Sequence, residues 1–173
     1  MSTSHPRIPV RLPTWEELNR RVSQLSEYLL NLVPTQVIAY GLNQQAYTTG
    51  AGSPSVPITG FAGSVETEYA TSNDGIITVQ EEALYEITAL VVFTGGEIND
   101  SYGLEFIITH STGPVYQVVA ITEWTNKTTA GALNGTLIVY LQKGDTVAMG
   151  IIESVTADVI QLETGQLSIE QVT

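Results

Sequence analysis

From Gly75 to Thr173 the chain is a succession of short apolar runs, each closed by residues that favour turns. Such runs, rich in Val, Ile, Thr, Tyr and Leu and punctuated by Gly, Asn and Asp, are the pattern of strands and tight connections. The centre of the stretch is Thr136 to Gly150, where two β-rich runs flank Gln142-Lys143-Gly144-Asp145. Gly144 supplies the backbone freedom a tight hairpin needs there. Further strands are expected at Val65–Ala70, Ile76–Val79, Ala83–Phe93, Tyr102–Thr109, Val115–Thr122, Thr136–Leu141, Thr146–Glu153, Val159–Leu162 and Leu167–Val172. In the longest, Leu84, Ile87, Ala89, Val91 and Phe93 form the buried face, with a shift at Ile87. Turn signals fall at Asn73-Asp74-Gly75, Gly95-Gly96, Asn99-Asp100, Gly113-Pro114, Asn134-Gly135 and Gly165. Many short strands without a helical interval indicate an all-β sandwich or barrel.

The sequence holds no Cys, so the sandwich has no covalent staple and the chemistry excludes thiolate metal sites and a Cys nucleophile. At 173 residues the chain can bury a sizeable core. It has no apolar run long enough to span a membrane as a helix. Residues 1–13 lack the apolar stretch of a signal peptide, so assembly in the cytoplasm is expected. The net charge of −12 is unevenly spread: Arg7, Arg11, Arg20 and Arg21 precede residue 22, whereas only Lys127 and Lys143 follow it. From Thr35 onward fifteen acidic residues face two basic ones. Such a body repels phosphate backbones, so no nucleic-acid partner is expected.

Four segments follow from the pattern. Residues 1–13 carry Pro6, Pro9 and Pro13 and form no helix. Ile8, Val10 and Leu12 alternate with Arg7, Pro9 and Arg11, the period of an extended strand with one apolar edge. They are expected to act as an anchoring arm, with Arg7, Ile8, Val10, Arg11 and Leu12 engaging a partner. Residues 14–34 read as a helix, opened by a capping box of Thr14 and Glu17 and stopped by Pro34. Trp15, Leu18, Val22, Leu25, Leu29 and Leu32 follow at spacings of 3, 4, 3, 4 and 3. The stripe either packs on its own domain or forms a short parallel coiled coil, and the spacing favours the coiled coil. Residues 35–59, rich in Gly, Pro, Ser and Thr and free of charge, are expected to be a linker containing at most one short strand. Residues 60–173 form the β domain.

Three stretches of that domain carry a family resemblance. Ile77-Thr-Val-Gln-Glu-Glu-Ala-Leu-Tyr-Glu-Ile87, Leu137-Ile-Val-Tyr-Leu-Gln-Lys-Gly-Asp-Thr-Val147 and Gly165-Gln-Leu-Ser-Ile169 resemble the complement-globular-head and tumour-necrosis-factor-like jelly rolls. The resemblance covers Val65 to Thr173, although the aromatic residue usual before the closing strand's small residue is absent. It implies an all-β jelly-roll sandwich of about ten antiparallel strands that assembles as a homotrimer. The family's disulfides and collagen stalk are missing, and no ligand cluster marks a calcium site. Three heads about one axis would gather three N-terminal segments, making the stripe from Trp15 to Leu32 a trimer interface.

A trimeric head, a stalk and a basic, proline-rich arm together resemble a bacteriophage structural protein. The expected function is a non-enzymatic capsid decoration (cement) protein of the virion, held to the major capsid protein or another virion protein by residues 1–34. The alternative is a head or tail fibre, or a module binding a receptor or host-surface glycan. Trp124 is a candidate for surface recognition. Catalytic chemistry is sparse. His5 and His110 are the only histidines, and Ser111 beside His110 is no sign of a triad. Glu81 and Glu82 read as solvated turn charges, and no cofactor, metal or membrane partner is expected.

Overall fold

The computed structural model describes residues 36–42, 44–52, 54–96, 100–123 (118–123 as backbone), 130–153 and 157–172. The chain divides into two units, Met1–Val33 and Pro34–Thr173, and every described residue lies in the second. The arm, the helical stripe and Trp124 lie outside the described residues.

Alternation of apolar and polar residues builds twelve strands among the described residues. They are β1 (Gln36–Leu42), β2 (Gln45–Thr48), β3 (Gly50–Ala51), β4 (Phe61–Val65), β5 (Ala70–Asn73) and β6 (Ile76–Val79), then β7 (Ala83–Thr94), β8 (Ser101–His110), β9 (Gly113–Glu123), β10 (Gly131–Leu141), β11 (Thr146–Glu153) and β12 (Val159–Gln171). The first sheet has the order β10-β7-β12-β1-β4, with β2 also on β12. The second has the order β5-β6-β11-β8-β9, with β3 also on β11. One face of each sheet meets the other in a shared core of Phe93, Tyr102, Phe106, Leu133, Met149 and Leu167, among others. Apolar area buried between two sheets is what holds such a sandwich together.

Several expectations need correction. Residues 35–59 are no linker: β1 lies between β12 and β4, burying Val37 and Ala39, and β2 pairs with β12. Polar composition concealed strands whose partner, β12, lies far along the chain. The unit boundary accordingly falls at Val33/Pro34. The connection at Gln142–Asp145 is not a hairpin. β10 pairs with β7 and β11 with β6 and β8, so the turn carries the chain from one sheet to the other. Asn134-Gly135 lies inside β10, and Gly165 lies inside β12 rather than between two strands. At Gly165 a Cβ would come within 2.9 Å of Leu42 Cδ2 and 3.2 Å of Met149 Cε, so the core leaves room only for hydrogen. The run Val65–Ala70 breaks into the end of β4 and the start of β5. In β7 the alternation never shifts. Tyr85 enters the core with Ile87, while Leu84 stands outside, 41% exposed. The Tyr85 hydroxyl donates to the Glu81 carbonyl at 2.7 Å, which satisfies the one polar atom it brings. Not all pairing is antiparallel, because β3 runs parallel to β11.

The sequence signal at Asn73-Asp74-Gly75 is realised as a two-residue hairpin between β5 and β6. Asp74 and Gly75 take φ of 49° and 82°, the left-handed geometry that matches strand twist.

Candidate interaction surface

The outer face of the first sheet follows from register. Tyr140 pairs with Leu84, Ile138 with Glu86, and Asn134 with Leu90 across β10 and β7. Leu90 in turn pairs with Gln166 of β12, and Gln166 with Tyr40 of β1. Since successive side chains alternate faces, these residues share one surface. Ile138 is 57% exposed, Tyr140 52% and Tyr40 47%, and Leu84 and Leu90 stand beside them. Tyr40 lies across Gly63 of β4, where a Cβ would stand 2.9 Å from its ring. Tyr140 donates its hydroxyl to the Glu82 carboxylate, and that bond raises the pKa of the phenol. Glu82, expected as a solvated turn charge, is exposed but also orients this aromatic. Glu86 and Glu170 face each other in register on the same surface.

The outer side of the second sheet is treated differently. Residues 49–52 and 54–59 run beside β11 as a strap, fixed by Gly52 N–H to the Glu153 carbonyl at 2.8 Å and Ile58 N–H to the Met149 carbonyl at 2.8 Å. Glu105 of β8, fully buried, reaches over Gly150 of β11 to this strap. Its Oε2 accepts the Ser55 N–H at 2.7 Å and the Ser55 hydroxyl at 2.6 Å. The Tyr47 hydroxyl donates to the Val56 carbonyl and accepts the Ile151 N–H at 3.2 Å. Burial raises the pKa of this phenol, so it stays neutral and can do both.

At the far end of β11 sits a second buried carboxyl, Glu153. It pairs in register with Tyr102 and accepts the Thr49 hydroxyl at 3.1 Å. Thr49 also binds the Asp158 backbone, and the Tyr102 hydroxyl reaches Asp158 Oδ2 at 3.3 Å. Burial, opposed by the Thr49 bond and reinforced by Asp100 and Asp158, pushes the Glu153 carboxyl up to about 7.

His110 ends β8, as expected, but has a partner the sequence did not reveal. Its Nδ1 lies 2.7 Å from Asp145 Oδ2, which also accepts the Gln142 N–H at 2.8 Å. The pair borders an open cleft of about 230 Å³ with Ser111, Lys143 and Thr146. The pair fixes the turn between the sheets, with Asp145 joining His110 to the Gln142 backbone. No group of three or more His, Cys, Asp or Glu among the described residues is placed to hold a metal ion.

Glu105, Glu153, Ser55, Thr49 and Asp145 went unrecognised as structural polar groups. One signal was present: Glu105 interrupts the otherwise apolar run Leu104-Glu105-Phe106-Ile107-Ile108. A lone acid in such a run, if buried, demands a donor elsewhere in the fold.

Solved structures share this arrangement. The globular domain of zebrafish complement 1qA matches with a TM-score of 0.54 at 15% identity, covering 80% of this chain and 95% of that one. The fold is the C1q/TNF-like jelly roll. An Eiger TNF from S. frugiperda matches with a TM-score of 0.57 at 8% identity, covering 80% of this chain and 92% of that one. Murine APRIL matches with a TM-score of 0.55 at 11% identity, covering 79% and 98% respectively. No protein-family model matches the sequence, and no characterised protein matches it at the sequence level. Identities this low speak for the C1q/TNF-like fold and leave the function to the chain's own surfaces.

Proposed function

We propose that the chain is a non-enzymatic assembly protein, a homotrimer of jelly-roll heads that anchors to a larger particle through residues 1–34. The observation that carries the trimer is the open outer face of the first sheet. Tyr40, Leu84, Leu90, Ile138 and Tyr140 gather there, whereas the strap covers part of the second sheet. A clustered apolar and aromatic surface of this kind suits association more than solvent. The C1q/TNF-like fold makes a second and third copy of the chain its natural partners.

The finer assignment, a decoration protein on a bacteriophage capsid, rests on the basic, proline-rich arm and the apolar stripe from Trp15 to Leu32. Two measurements test the proposal. Light scattering of the whole chain is expected to give a trimer, with Ile138→Glu shifting it towards monomer and Leu25→Asp showing whether the stripe contributes. A monomeric wild type overturns the assembly reading. Deletion of residues 1–13 is expected to abolish binding to the particle. Unchanged particle binding, or saccharide binding by the truncated trimer, favours a receptor-facing head instead.

A further inference from the structure

Glu153 is the least expected group in the molecule. It is fully buried, and its Oε1 finds no donor among the described residues. A second acid, Asp100, acts on it and favours its protonated form. A third acid, Asp158, adds its charge from the start of β12. Tyr102 of β8 contributes a hydroxyl, which is committed to Asp158. The strap contributes Thr49, which is uncharged. The basic side chains among the described residues are Lys143 and His110, and both line the cleft beside Thr146 at the opposite end of β11. Eight residues of extended strand separate the two ends by roughly 23 Å, too far for useful neutralisation in salt.

The Glu153 carboxyl also sits where three segments meet. Thr49 binds its Oε2, Gly52 N–H binds its carbonyl, and Thr49 joins Asp158 through backbone and hydroxyl. A change in its charge therefore acts on the junction of the strap with both sheets.

We propose that Glu153 is a proton-operated clamp that holds the strap at Thr49–Gly52 closed while its buried carboxyl keeps its proton and loosens it when the proton leaves. Losing the proton places a negative charge in a buried site beside two further acids, Asp100 and Asp158, with no basic side chain near it among the described residues. The Thr49 and Gly52 hydrogen bonds are the contacts that can yield, because β3 has only two paired residues. The device is independent of the trimer and of the particle.

The sign is fixed by linkage. The folded-state value, about 7, lies above the ordinary 4.5, so the clamp's stabilisation is complete below 4.5 and is lost as pH rises through about 7. Amide exchange of the full-length protein between pH 5 and 9 tests this, with protection factors of Thr49, Gly52 and Asp158 as readout and Ile87 as core control. One-proton linkage predicts that strap protection falls by up to about tenfold per pH unit between 4.5 and about 7 and levels off above that. Glu153→Gln keeps an acceptor for Thr49 and a donor for Asp100, and is expected to hold protection flat across the range. Asp100→Asn, which removes one charge, is expected to move the transition to lower pH. Strap protection that is flat in wild type, or the same transition in Glu153→Gln, overturns the clamp. Should Glu153→Gln not fold, an unmoved transition in Asp100→Asn overturns it equally.

Discussion

Gly150→Ala is the sharpest test of the packing logic. The added Cβ would lie 2.1 Å from the Ser55 hydroxyl, 2.8 Å from Ser55 Cβ and 2.8 Å from the Val56 carbonyl. A methyl group needs well over 3 Å from each, so Ser55 must withdraw by more than an ångström. Both hydrogen bonds to Glu105 Oε2 would then break. Each is charge-assisted and contributes about 1.5–3 kcal/mol, and the carboxylate left behind is fully buried. The expected loss is therefore about 3–5 kcal/mol, a large share of the roughly 5–15 kcal/mol typical of a domain. Urea unfolding followed by circular dichroism measures it, with an unchanged slope showing that the loss is in stability. Ser55→Gly keeps the N–H and removes the hydroxyl, so alone it should cost about 1.5–3 kcal/mol. In that background the two Ser55 atoms nearest the alanine are gone, and a coupling of about 1–2 kcal/mol between the two substitutions is expected. A cost below about 1 kcal/mol for Gly150→Ala, or strict additivity, would refute the bridge from Glu105 over β11 to the strap.

Two further outcomes follow from single side chains. Tyr85→Phe removes the bond to the Glu81 carbonyl and should cost about 0.5–1.5 kcal/mol by thermal unfolding; Tyr85 itself, pushed up to about 12 mainly by burial, should titrate above the ordinary tyrosine range in an ultraviolet titration of wild type, a component that Tyr85→Phe removes. Asp145→Ala removes the acceptor shared by His110 and Gln142 N–H, and should lower stability by about 2–4 kcal/mol in urea unfolding, whereas Lys143→Ala beside it should change little.

The sequence alone determined the character of residues 60–173. Alternation fixed which residues of β7 turn inward from Ile87 to Phe93, and Asn73-Asp74-Gly75 fixed a hairpin, because period and left-handed turns are properties of a few adjacent residues. Thr146–Glu153 emerged with the bounds of β11 for the same reason. Resemblance at three short stretches gave the jelly roll. What tertiary structure decided is which strand each strand meets. Val37 pairs with Ile169 and Gln36 with Glu170, so a segment with the composition of a linker becomes an inner strand. β10 and β11 part into different sheets at the turn pinned by Asp145, although the chain between them is as short as a hairpin's. Glu105 finds Ser55 fifty positions earlier in the chain, and Glu153 finds Thr49 across 104. Periodicity reports the face of one strand; the partner across the sheet, and the donor that makes a buried acid tolerable, exist only once distant segments are side by side.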